Sequence, residues 1–332
     1  MIHWICASRA SRATAAVVRH RERGPIIFPV AVTKMTTMSV TQDLPKTSRD
    51  TFAPSSIATD DAELIIKPRR GWIGVDWREL WRYRELLLFL IWRDVKVKYK
   101  QAILGFAWAV FVPVLSMMIF TMIGKFAGFT RQIQAGVPYS LWVFAGLVPW
   151  LFLQSGINNG GLSLLNQQNL LSKIYLPRLF IPTATCGSAL IDMMLSFIVF
   201  TVLLAINHFM PAAQIAYLPL LILLAIAFSL GVSYLLSALT INYRDVRFLI
   251  PFLAQILMWL SAVMIPDGIF GSYRKWLAIN PAYGIIAAFR TAILGTEFHR
   301  GALIASIASS IGLLILGLFY FRKAERRFAD IA

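Results

Sequence analysis

The chain has 332 residues, of which 58% are hydrophobic and only 14% charged, with a formal charge of +16. A soluble domain is typically about a quarter charged, so this composition argues against a water-soluble protein and for a membrane one. The positive excess does not read as a nucleic-acid surface. Of the 32 Lys and Arg, 18 precede residue 101 and the rest are spread thinly between apolar runs, which suits anionic lipid headgroups.

Residues 1–70 are rich in Ser, Thr, Ala and Arg and keep no helical or strand period, so they read as a disordered tail or a start assigned too far upstream. Met35 and Met38 are alternative starts, and Arg9, Arg12, Arg19, Arg21 and Arg23 lend a faintly transit-peptide-like composition. Residues 71–100 contain an amphipathic helix expected from Asp76, with Glu79 in capping-box spacing. Trp77, Leu80, Trp81, Leu87, Leu88, Ile91 and Val95 approximate one face and basic residues much of the other, the pattern of a helix lying among headgroups.

Residues 101–332 form the membrane domain. The block Arg93-Asp94-Val95-Lys96-Val97-Lys98-Tyr99-Lys100 gives way to Ala102–Gly124, which carries no charge. Those residues would extend about 34 Å as a helix, enough to cross a bilayer. Further spans are expected at about 140–156 (containing Pro149), 181–206, 215–240, 248–265 and 302–321. Six spans return the C-terminus to the starting side. With loops assigned accordingly, 26 Lys and Arg fall inside and 6 outside, as the positive-inside rule requires. Both termini are thus expected in the cytoplasm. The stretch Trp276–Leu294, broken at Asn280-Pro281, has halves too short to cross, and reads as a re-entrant outer hairpin before the last span. A seventh span would put the basic C-terminus outside. The expected fold is an all-α integral membrane protein.

Catalytic signatures are sparse. There is no G-x-x-x-x-G-K-[ST] loop, no H-E-x-x-H, and only four histidines, so transport or scaffolding is favoured over catalysis and no metal or other cofactor is assigned to this chain. Cys6 and Cys186 suggest neither a disulfide framework nor a metal site. Two ionisable residues fall at membrane depth. Asp192, near the middle of the third span, is expected to face a partner or cavity, as a gating group or a structural hydrogen-bonding one. Arg290 suits a phosphate or acidic sugar, or a pairing with Glu297. Trp108, Phe111, Phe120 and Trp259 are channel-lining candidates, since flat apolar rings stack on sugar C–H groups; the same rings also serve as interface belt or packing.

The order of several segments is similar to the type-2 ABC transporter permeases of the polysaccharide export group, which export O-antigen, capsule and teichoic-acid polymers. The matching pieces are Arg93 to Gln101 with Leu104-Gly105 and Trp108; Pro138-Tyr139; Ala145 to Trp150; Asn169 to Arg178; Asn242 to Arg247; Asn280-Pro281; Phe289-Arg290; and Phe328 to Ile331. They cover about residues 72–332. After the fifth span the family commonly has Ser-Pro-Val and then Tyr, where this chain has Ser261 to Pro266. The resemblance implies a homodimer of six-span subunits in the bacterial inner membrane, bound to two copies of a separate ATPase that uses ATP and Mg. It implies a coupling helix at about Leu164 to Leu176, with Asn169, Lys173, Tyr175 and Arg178 as contacts to the ATPase. The implied cargo is a lipid-linked polysaccharide, with Arg84, Arg93 and Lys96 as candidates for holding lipid phosphates. An exporter of a small lipid or drug, and a membrane glycosyl- or acyltransferase, are the alternatives.

Overall fold

An apolar run in a bilayer has no water to bond, so its amides and carbonyls must satisfy one another by coiling. The computed structural model describes residues 81–100, 105–134, 136–171 and 176–328, and these contain helices and turns with no strand. The expectations for residues 1–70, and for the Asp76 cap, lie outside the described residues.

Helix α1 spans Arg84–Lys100 and α2 spans Ala107–Phe126. Helix α3, Tyr139–Ser155, runs through a π-helical turn at Gly156–Gly160 into α4, Gly161–Asn166, and the short α5 covers Gln168–Leu171. Then come α6, Phe180–Ile206; α7, Leu218–Asn242; α8, Val246–Leu260; α9, Arg274–Leu277; α10, Pro281–Leu294; and α11, Arg300–Phe328. Among the described residues, five helical segments are long and apolar enough to cross a membrane: Ala107–Phe126, Tyr139–Asn166, Phe180–Ile206, Ala213–Asn242 and Arg300–Glu325.

Two spans differ from expectation. The second is longer than 140–156, because Pro149 is absorbed within α3 and the π turn carries the helix on to Asn166. The fifth, expected over 248–265, stops at Leu260 after 15 residues, about 22 Å of helix. Ala262 there adopts a left-handed φ of 52°, and the carbonyls of Ala262 and Val263 accept from the Arg290 side chain.

The interior is built around α3, which is buried on nearly every side. Trp142, Phe144, Leu147, Trp150 and Phe152 pack against α6, α7 and α10. Helix α10 begins with Asn280, whose Oδ1 accepts from the Ala282 amide at 3.1 Å, followed by Pro281 in the first turn. It ends at a left-handed Gly295 and is itself almost wholly buried. A second apolar cluster joins Leu90, Leu164, Phe180, Tyr234 and Phe321, from α1, α4, α6, α7 and α11.

Small residues let the helix backbones meet. A Cβ on Gly231 of α7 would lie 2.6 Å from the Leu314 amide of α11, and one on Gly317 would strike the Gly231 carbonyl. Gly156 and Gly160 likewise press onto Ser229 and Ser233 of α7. There Ser233 Oγ donates to the Gly156 carbonyl at 2.9 Å, and Thr240 Oγ1 to that of Gly161 at 3.1 Å. These hydroxyls anchor the chain on either side of the π turn.

Helix α1 follows α6 in the same direction. Leu90 packs near Phe180 and Ala184, Ile91 sits against Gly187, and Tyr99 reaches Asp192. Its buried face is Leu90, Val95 and Tyr99, while Leu88, Phe89 and Trp92, like Trp81 just before the helix, point outward. The expected apolar face is therefore split: Ile91 and Val95 turn to the bundle, Trp81 and Leu88 away from it.

Candidate functional site

Asp192 finds its partners at the end of α1. Its carboxylate accepts from the Lys98 ammonium and from the Tyr99 hydroxyl, and its main-chain carbonyl accepts from Ser196 Oγ at 2.9 Å. Tyr99 also stacks on Phe106, ring centres 4.6 Å apart. Burial first, then the bond to Asp192 and its charge, push the Tyr99 phenol above its ordinary range, so it remains a neutral donor. This cluster borders a cavity of about 330 Å³ between α2, α3, the π turn and α6, which Trp108 also lines. The structure thus brings Asp192 and Trp108 to one place. Phe111 meets Trp108 edge-on at 5.6 Å but does not line that cavity. Phe120 packs half-buried against the core, and Trp259 stands exposed on α8.

Arg290 is 4% exposed and acts as a clamp. Nε donates to the Trp142 carbonyl at 3.1 Å, Nη1 to that of Ala262 at 2.8 Å, and Nη2 to that of Val263 at 2.6 Å. The guanidinium lies 3.5 Å from the centre of the Trp142 ring. Gly146 leaves the room, since a Cβ there would collide with the guanidinium. Where the sequence suggested an anionic partner, these three donors go to main-chain carbonyls. A second cavity, about 670 Å³, opens beside this clamp. In its wall Asp267 Oδ2 accepts from the Tyr283 hydroxyl at 2.8 Å and pairs with His299 Nε2 at 2.9 Å.

The expected coupling helix is not continuous. Leu164 to Asn166 belong to α4, the helix breaks at Gln167, and Asn169 lies on the four-residue α5. Lys173 and Tyr175 lie outside the described residues. Arg178 Nη1 donates to the Glu325 carbonyl of α11 at 3.4 Å. Of the lipid-phosphate candidates, Arg84 is stacked near Trp81 and Lys96 near Trp92, both exposed. Arg93 is instead bound inward. Its Nη2 donates to Asp94 Oδ1 at 2.7 Å and to Gln167 Oε1 at 2.8 Å, tying α1 to the break between α4 and α5.

Sequence reasoning missed Gln167, and the contact of Gly156 and Gly160 with Ser229 and Ser233. The second had a legible signal: two small-x-x-x-small patterns in apolar helices, the spacing that lets helices approach. Nothing in the sequence pairs Arg93 with Gln167.

Long apolar helices around a buried α3, with ionisable groups held at bundle seams, define a multi-pass membrane protein. The chain belongs to the ABC-2 type transporter family, whose profile matches residues 85–294, from α1 through α10. It is a transporter component of the permease kind. It is 25% identical over 258 residues to the O-antigen export system permease protein RfbA of Myxococcus xanthus, covering 76% of this chain and 97% of that protein. An RfbA of the same description from Klebsiella pneumoniae is 24% identical, covering 74% of this chain and 95% of the relative. The polysialic acid transport protein KpsM of Escherichia coli is 22% identical over 72% of this chain and 92% of its own length.

Proposed function

We propose that this chain is the membrane permease of an ATP-driven exporter that moves a lipid-linked polysaccharide from the cytoplasm across the inner membrane. The observation that carries this reading is the near end-to-end coverage, 97%, of an O-antigen export permease by a match of 258 residues of this chain. In this reading α8 is a shortened fifth span and α11 the sixth, α9 and α10 are the re-entrant outer hairpin, and both termini are cytoplasmic. Two copies of the chain assemble with two copies of an ABC ATPase, which binds ATP and Mg. The exposed apolar faces of α2 and α8, with Phe111 and Trp259, supply aromatic surface for a passage between the copies.

Residues 164–178 meet the ATPase through Asn169, Lys173, Tyr175 and Arg178. The Arg93–Gln167 bond then gives a direct link by which movement of that segment reaches α1. ATP drives export only if it favours one of two arrangements of these parts. Arg84 and Lys96, exposed beside tryptophans, suit the phosphates of a lipid carrier.

The test is expression in a strain lacking its own exporter, with the cognate ATPase in active or inactive form, and immunoblotting of surface glycan. Surface polymer that requires the active ATPase supports the reading. Unchanged surface glycan, with synthesis intact and a stable permease–ATPase complex, overturns it in favour of a small lipid or drug.

A further inference from the structure

The cavity between α2, α3 and α6 is not explained by helix packing, because polar groups converge on it from three helices. Lys98 and Asp192 line one side, and Gln154, Asn158 and Asn159 line another, with the Trp108 ring beside them. The π turn places the asparagines there. Its wider coil interrupts the i to i−4 ladder, and such turns are frequent at functional sites. Asn159 Nδ2 donates back to Ser155 Oγ at 3.0 Å, whereas Asn158 Oδ1 is shielded from solvent and accepts from no described group. Opposite, Pro113 within α2 has no amide hydrogen, which deprives the Ala109 carbonyl of its usual helical donor. Both residues border the same cavity.

The wall therefore combines acceptors, amide donors and an aromatic face without net charge, since the Lys98 ammonium is held by the Asp192 carboxylate. With that pair neutralised, the wall offers no spare cation for a phosphate. An uncharged ring bearing several hydroxyls fits both the polarity and the size: at about 330 Å³ the cavity is at the small end for ligand sites. The geometry points to a binding subsite for a single neutral hydroxyl-rich unit, such as one hexose, within each copy of the chain. As a cargo subsite, this rests on the exporter reading above. The same chemistry is carried by the glycerol headgroup of phosphatidylglycerol, so two sources must be separated.

The experiment uses the purified full chain in nanodiscs and saturation-transfer NMR with methyl β-glucoside as the probe. Transfer to the ring protons is expected in phosphatidylcholine discs, and binding about tenfold weaker in Asn158→Leu, the worth of one hydrogen bond. Should Asn158→Leu fail gel filtration, Trp108→Leu, at a half-exposed position, carries the test with the same expected loss. Adding phosphatidylglycerol separates the sources. Retained transfer supports the sugar, while competition supports the same polyol site with a lipid as its occupant. No transfer, equal binding by both variants, or tighter binding of glucose 1-phosphate overturns the proposal. Export measured beside binding keeps the two readings apart. Asn158→Leu that loses binding but exports normally removes the cargo role alone, whereas no ATPase-dependent export by the unaltered chain removes the exporter reading and leaves the binding result standing.

Discussion

Replacing Arg290 by methionine keeps the apolar stem and removes the guanidinium from its three carbonyls at 3.1, 2.8 and 2.6 Å. A buried acceptor left without a donor costs about 1–3 kcal/mol, so three orphaned carbonyls lose at least about 3 kcal/mol before any relaxation. Stacking on Trp142 adds about 2 kcal/mol when desolvated. Against this, removing a buried charge relieves its desolvation cost. Because a guanidinium is weakly hydrated, that relief is the smaller quantity, and the net loss is about 3 kcal/mol. For a chain of this size, at roughly 2–4 °C per kcal/mol, the melting temperature should fall by roughly 6–12 °C. The assay is thermal unfolding in nanodiscs followed by tryptophan emission, to which Trp142 contributes directly. Arg290→Lys keeps the charge but offers a single point donor, and should recover less than half of the loss. A methionine variant melting within about 2 °C of the unaltered protein, or a lysine variant matching it, would refute the clamp.

Three further outcomes are expected. Gly231→Ala drives a methyl group into the Leu313–Leu314 backbone and should destabilise by about 1–3 kcal/mol, whereas Gly312→Ala, with nothing within 4 Å, should be neutral or gain up to about 1 kcal/mol from helix propensity; paired melts check both. Asp192→Asn should cost about 1 kcal/mol or less, because Lys98 is half-exposed and an amide oxygen still accepts from Tyr99, while Asp192→Leu orphans that phenol and should cost more on the same melting curve. Arg93→Ala and Gln167→Ala should each reduce export without loss of ATPase binding, and the double variant should be no worse than the worse single one. Glycan export beside co-purification of the ATPase measures this, and additive losses would count against the link.

Much of the fold is legible in the chain, because bilayer-crossing helices are set by local chemistry: runs of apolar residues must satisfy their own backbones, and charges mark where they end. Hence Phe180–Ile206 and Arg300–Glu325 fall close to the expected third and sixth spans, and Asn280-Pro281 starts α10 where a cap and a first-turn proline predict it. The early stop of the fifth span at Leu260 is different in kind. Pro266 marks a local stop, but it acts on Ile265 and does not by itself place the end at Leu260. What the chain does there is decided at a distance, where the carbonyls of Ala262 and Val263, the first left without a helical donor by Pro266, accept from Arg290, nearly thirty residues later. The same holds for Asp192, whose neutralising partner lies 94 positions earlier in sequence, and for Asn158, which the π turn, propped by Ser233, presents to a cavity. Span positions and the class of protein follow from hydropathy and charge read along one strand of sequence. Which buried polar groups meet is decided only when helices distant in sequence pack, because a hydrogen bond needs both partners within about 3 Å and sequence spacing carries no such distance.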